Sequence, residues 1–175
     1  MKKGFTMIEL IFVIVILGIL ASVAIPRLAG TRTDAEISAT VANLRTLISD
    51  AAAYYAVKGE FAGAKWRDIT NVTLQTNDGK PITASNEATK DGYLTADGVK
   101  CIAIRLVDKT VNATGTVPAH IIFGKETNNK NKGVCKEVLA ADAVKAFVEA
   151  KAPGVKLGNS IGDGAIAIGS STTIY

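Results

Sequence analysis

The chain from Met1 to Pro26 divides sharply. Met1-Lys2-Lys3-Gly4 is polar and basic, and from Phe5 to Ile25 the chain is apolar except for Thr6, Glu9, Gly18 and Ser22. As a helix rising 1.5 Å per residue, these 21 residues span about 32 Å, close to a hydrocarbon core of roughly 30 Å. The run therefore predicts a membrane-crossing helix. Glu9 is its one charged residue. A carboxylate near a bilayer centre costs about 2.5–3.5 kcal/mol and less near an end, so Glu9 calls for a partner that the segment does not supply. Pro26 closes the run. Proline removes a backbone hydrogen bond and crowds the preceding turn, so a kink is predicted there.

After Gly30-Thr31 the helical pattern resumes. Ile37, Val41, Leu44, Ile48, Ala51 and Tyr55 recur at spacings of 4, 3, 4, 3 and 4, which makes one apolar seam. Asp34, Glu36, Asn43, Arg45, Thr46, Ser49 and Asp50 occupy much of the remaining surface. The pattern predicts one helix from about Phe5 to Val57, kinked near Pro26 and roughly 80 Å long. Lys58-Gly59-Glu60 ends it, and a loop carrying Phe61, Trp66 and Ile69 runs to Thr70.

Beyond the helix the period shortens to that of strands. Asn71–Gln75 reads as a strand, followed by a tight turn at Asn77-Asp78-Gly79-Lys80-Pro81 and a polar loop over 83–92. Val99–Val107 is the clearest strand, and a second runs from about Thr116 to Phe123, with Pro118 suggesting an edge position. These two form a predicted hairpin. Gly124–Lys136 reads as a polar loop and Glu137–Lys151 as an amphipathic helix facing inward through Leu139, Ala140, Val144, Phe147 and Val148. Short strand-like pieces follow at Val155–Leu157, Ile161, Ala165–Ile168 and Thr172–Tyr175. The fold class is α+β: a long N-terminal helix packed on an antiparallel sheet of about four or five strands.

Gly4-Phe5-Thr6-Met7-Ile8-Glu9, followed by an apolar helix and Pro26, resembles the N-terminus of type IV pilins and type II secretion pseudopilins. The resemblance is close from Met1 to about Gly30 and looser along the helix that follows. It implies a leader at 1–4 cut between Gly4 and Phe5 by a prepilin peptidase, and N-methylation of the new terminal Phe5. It implies a transmembrane and assembly helix at 5–30 and a periplasmic or extracellular body at 31–175, with the helix 31–57 and the sheet. Glu9 stands where the family's glutamate stands, and the resemblance implies that it sets axial register against the Phe5 amine of a neighbouring subunit. The implied function is that of a structural subunit of a type IV pilus filament, polymerised through its N-terminal helix. The alternatives are a secretion pseudopilin in a short periplasmic filament, and an anchored binding protein that never polymerises. Implied partners are further copies of the chain, the peptidase, the inner membrane before assembly, an assembly ATPase and a platform protein. A plain N-terminal anchor and a secretory signal cut near Ala29-Gly30 are the remaining readings of the leader.

The chain has 175 residues, room for one modest domain besides the stem. Taking Lys2 and Lys3 from the 20 basic residues leaves 18 against 16 acidic ones, a side-chain charge of +2. That balance does not argue for nucleic acid. Locally, Lys125, Lys130, Lys132 and Lys136 face only Glu126. The patch admits DNA as a partner, but it contains no aromatic residue on which a base could stack. The leader lysines fit a cytoplasmic N-terminus, which places the body outside the inner membrane. There Cys101 and Cys135, the only cysteines, would most simply form a disulfide closing 33 intervening residues. In many type IV pilins a disulfide pins a loop near the C-terminus; here a long tail from Lys136 to Tyr175, with its own predicted helix, follows Cys135.

No catalytic constellation is present. HExxH and phosphate-binding glycine loops are absent, and the chain is expected not to be an enzyme. His120 is the sole histidine; Cys/His catalysis would need an unpaired cysteine beside it. No metal or other cofactor is expected: zinc ligand spacing is missing. Asp91, Asp97 and Asp163 sit beside glycines, where turn chemistry accounts for them as well as calcium ligation would. Asn71-Val72-Thr73 and Asn112-Ala113-Thr114 match a common glycan acceptor pattern.

Overall fold

A computed structural model of the chain describes residues 6–83, 85–112, 115–126, 128–129, 132–150 and 164–168. Helix α1 spans Met7–Lys58, 52 residues. It ends where Gly59 enters the left-handed region at φ 78° and donates its N–H to the Tyr55 carbonyl at 2.8 Å. A glycine carries no Cβ penalty in that conformation, so it closes the last turn. The helix continues through position 26 and Gly30 without a break in its assignment. The chain divides into two compact units, Met1–Ala35 and Glu36–Tyr175. In the first, every apolar residue whose side chain is described is exposed, Phe12 by 69% and Leu28 by 67%.

The second unit is built on a sheet. Strands β1 (Gly92–Ala96), β2 (Val99–Val107), β5 (His120–Lys125) and β6 (Gly164–Ala167) lie in that order, all antiparallel. The connection between β2 and β5 carries a separate two-stranded ribbon, β3 (Thr110–Asn112) with β4 (Gly115–Val117). Short helices α2 (Trp66–Ile69), α3 (Gly133–Ala140) and α4 (Asp142–Val148) complete the unit. Leu44, Leu47 and Ala51 of α1 are fully buried and join Ile102, Ile104, Leu106, Ile121, Phe123, Val138, Val144 and Val148 in one core. Ile37, Val41, Ile48 and Tyr55 pack against that core while partly buried. The predicted seam thus faces inward, with Leu47 added at its centre.

Several expected elements differ. Asn71–Gln75 is no strand. Only Gln75 pairs, in isolated bridges to Pro81 and Tyr93, and the Val72 amide is captured by the Thr70 hydroxyl at 3.2 Å. A side chain that takes a backbone donor competes with a ladder, and Pro81 has no donor to extend one. The turn over 77–81 is present, with Gly79 at φ 79°. The loop expected to run to Thr70 contains α2, whose Trp66 and Ile69 are buried. The expected polar loop over 83–92 ends in a strand that the alternating pattern does not announce. Strands β1 and β2 are joined by Asp97-Gly98, both at positive φ (51° and 74°), with Ala96 opposite Val99. Such a two-residue loop matches the natural twist of a hairpin.

The strand expected over Thr116–Phe123 is split at Pro118, which cannot donate to a ladder. Strand β5, expected at an edge, is interior and pairs with both β2 and β6. The loop expected over Gly124–Lys136 is narrowed by β5 running to Lys125 and α3 starting at Gly133. The single helix expected over Glu137–Lys151 is two helices broken at Ala141, whose backbone is extended at ψ 129°. On one straight helix Val138 and Val144, six positions apart, would point about 120° away from each other. The break lets both enter the core. Of the tail pieces, Ala165–Ala167 lies in β6; those at 155–157, 161 and 172–175 lie outside the described residues.

Candidate functional site

The helix start is the chemically distinctive point of the stem. Thr6 precedes α1 and Glu9 stands in its first turn. The Glu9 Oε2 atom accepts from the Thr6 amide at 2.8 Å and from the Thr6 hydroxyl at 2.7 Å. The Glu9 amide reaches back to Thr6 Oγ1 at 3.4 Å. This is a capping box: threonine and the glutamate three residues on satisfy each other's orphan groups at a helix start. The lone charge of Glu9 marks it in the sequence as a site residue. Thr6 is the partner that charge alone does not reveal, although the T-x-x-E spacing is its signal. Gly4 and Phe5, the expected cleavage and methylation positions, lie outside the described residues.

Beyond the cap, α1 is long and apolar enough to cross a membrane. The hydroxyls of Ser22 and Thr31 are satisfied within the helix. Ser22 Oγ donates to the Ile19 carbonyl at 2.7 Å and Thr31 Oγ1 to Leu28 at 3.0 Å. Hydroxyls bonded to the preceding turn carry little penalty in lipid. Farther along, on the face opposite the core seam, Ala39, Ala42, Thr46, Ser49, Ala53 and Ala56 are all exposed. They recur at spacings of 3, 4, 3, 4 and 3, a lane of small residues down the helix that the spacing of large apolar positions does not reveal. Small residues let helix backbones approach closely.

The disulfide is formed. Cys101 on β2 and Cys135 on α3 are bonded, with Cα atoms 5.3 Å apart and both side chains buried. The bond ties α3 to the sheet and leaves no thiol for catalysis beside His120. That histidine is buried in β5, with Nδ1 2.9 Å from the Pro118 carbonyl.

The basic loop is less free than its composition suggests. Lys125 binds Glu149 at 2.8 Å, and this ammonium holds the Glu149 carboxyl below the usual glutamate range. Lys132 and Lys136 are exposed, and Lys130 lies outside the described residues. Among the aspartates beside glycines, Asp91 pairs with Arg105 at 2.7 Å, Asp97 serves the β1–β2 turn, and Asp163 lies outside the described residues. Among the described residues no group of three or more His, Cys, Asp or Glu is arranged to hold a metal ion. An open polar cleft of about 470 Å³ lies between the 76–78 turn, the 82–91 segment and Arg105. Its charged walls are paired with neighbours, Lys80 with Asp78, Lys90 with Glu87 and Arg105 with Asp91.

Comparison with known proteins adds two findings. The prokaryotic N-terminal methylation motif matches residues 1–25. A fimbrial protein of Neisseria meningitidis serogroup B (strain ATCC BAA-335 / MC58) is 28% identical over 148 residues, covering 83% of this chain and 79% of that protein. No solved structure matches the chain significantly.

Proposed function

We propose that the chain is a member of the type IV pilin family and a structural subunit of a type IV pilus, a reading supported by the N-terminal methylation motif and by a fimbrial relative along most of its length. The family implies processing by a prepilin peptidase and self-assembly into filaments. In this reading Met1–Gly4 is removed, Phe5 becomes the methylated terminus, and residues 5–30 hold the precursor in the inner membrane. An assembly ATPase and a platform protein then draw the subunit into the fibre, leaving the body at 31–175 outside. The kink at Pro26 is the weak point at which the stem bends as it leaves the lipid.

The observation that carries the proposal is a stem whose described apolar side chains are exposed, headed by the methylation motif. Apolar surface on that scale needs a cover, and lipid supplies it before assembly. In the filament other stems supply it, and the small-residue lane from Ala39 to Ala56 offers a surface on which helices pack closely. Glu9 sets axial register by pairing with the Phe5 amine of a neighbour, an interaction strengthened where water is excluded.

The test is mass spectrometry of filaments sheared from native cells. The expected result is this chain as a bulk component beginning at methylated Phe5. A processed chain that stays with the envelope would replace the bulk pilus subunit with a secretion pseudopilin or a minor pilin. A chain that keeps Met1–Gly4 would overturn the polymer reading in favour of an anchored, non-polymerising module.

A further inference from the structure

The polar cleft beside Arg105 plays no part in the pilus reading. Backbone bonds fix its shape: the Trp66 amide donates to the Asn86 carbonyl at 3.0 Å and the Ala88 amide to the Ala64 carbonyl at 2.8 Å. Its volume of about 470 Å³ is that of a small-molecule site, yet its walls are polar where such sites are mostly apolar. A ligand must therefore answer polar groups. In the wall, Arg105 of β2 and Asp91 just before β1 are joined at one point, Nε to Oδ1 at 2.7 Å. Among the described residues, the Arg105 Nη atoms donate to nothing and Asp91 Oδ2 accepts from nothing. Asn86 Oδ1 takes both the amide (2.7 Å) and the hydroxyl (2.9 Å) of Thr83, which fixes that side chain. Its Nδ2 donors are unused among the described residues.

We propose that this cleft binds a neutral saccharide, with a vicinal diol bridging the Arg105 Nη donors and Asp91 Oδ2 while Asn86 Nδ2 supplies a further donor. A hydroxyl both donates and accepts, so a diol answers open donors and an open acceptor held on adjoining groups. A carboxylate or phosphate offers acceptors alone and would meet the Asp78, Glu87 and Asp91 carboxylates in the same walls. An ammonium offers donors alone and would meet Lys90 and Arg105. Each of those carboxylates already has its cation, so a charged ligand would have to break a pair to gain one. The inference goes beyond the pilus reading and does not rest on it, because every residue in it lies in the unit Glu36–Tyr175.

Trp66 makes the test direct. It is the only tryptophan of the chain, it lines the cleft, and its Nε1 donates to the Lys90 carbonyl at 3.1 Å. The full chain, held in a detergent without a sugar headgroup, is titrated with the methyl glycosides of glucose, galactose and mannose while tryptophan emission is followed. The matching uronic acids and amino sugars are titrated in parallel. The expected result is a saturable change with at least one neutral glycoside and weaker binding of its charged counterparts. Arg105→Lys keeps the charge and removes the forked donors, and should weaken binding about tenfold or more, the worth of a charge-assisted hydrogen bond. Ser85→Phe enlarges an exposed side chain of the wall without touching the Arg105–Asp91 pair, and should block the cleft at an unchanged Tm. If Arg105→Lys fails to fold, Ser85→Phe decides. No saturable change with any of the three glycosides would overturn the proposal. Binding that survives Ser85→Phe would overturn it by placing the sugar elsewhere. A uronic acid binding more tightly than its neutral parent would overturn it in favour of an anion site at Arg105.

Discussion

At the scale of single residues, a few side chains hold disproportionate weight. Glu9→Ala should leave the precursor in the membrane, since it removes the one charge from an apolar run, yet abolish or disorder filaments by electron microscopy. Cys101→Ser with Cys135→Ser frees a buried link between β2 and α3. It should lower stability by about 3–4 kcal/mol by the chain-entropy argument, read as a fall in the denaturant midpoint of the detergent-solubilised chain. Gly164 opens β6 with its backbone against the end of α4, and a Cβ there would overlap the carbonyls of Val148 and Phe147. Gly164→Ala should therefore destabilise by about 1–3 kcal/mol, as overpacking does, with a corresponding drop in Tm. Nothing in the one-dimensional pattern distinguishes Gly164 from its glycine neighbours, because the clash is with residues of another element.

Elements are the scale at which sequence and structure part company. The helix seam was legible because a 3.6-residue period needs only local spacing, and the turn at Asp97-Gly98 because its chemistry is local too. The strand in front of that turn was not, since Gly92-Tyr93-Leu94-Thr95-Ala96 becomes a strand by pairing with β2 and with Gln75. The same holds for β5, made interior by β6, which returns to the sheet only after α3 and α4. Helix α4 is fastened to β5 by Lys125 and Glu149. The Glu149 carboxyl is held below its usual range, chiefly by its hydrogen bond from Lys125. The pair's stabilisation is thus present at neutral pH and lost as pH falls through that lowered value. Lys125→Met should lower Tm modestly at neutral pH, as befits an exposed pair, and leave it unchanged in acid, so that the acid limb of a Tm-against-pH curve is flatter.

For the whole molecule, the question is which surfaces are left for other copies. The lane Ala39, Ala42, Thr46, Ser49, Ala53 and Ala56 is exposed, so enlarging it should cost the isolated chain little. Ala42→Phe is expected to keep the Tm of the solubilised chain within about 1 °C, as an exposed surface change does, and to reduce filament yield where stems must approach closely. An unchanged yield, measured by shearing and quantitative immunoblot, would show that this face does not pack in the fibre. The candidate site was half legible in the same way. Glu9 stands out as a lone charge in an apolar run, but its bond to Thr6, and the choice of oxygen, exist only once the first turn has closed.

The sequence by itself determined the stem, its apolar length, its lone carboxylate and the inward seam of α1, because these depend on composition and on spacings shorter than two helical turns. It also bounded the body as a small helix-and-sheet unit with one pair of cysteines. Tertiary structure alone decided that β5 is central, that the helix near the end breaks at Ala141, and that Gly164 must lack a side chain. Each of those depends on what lies across a contact from residues distant in the chain, and pairing energy across such gaps leaves no mark on local order.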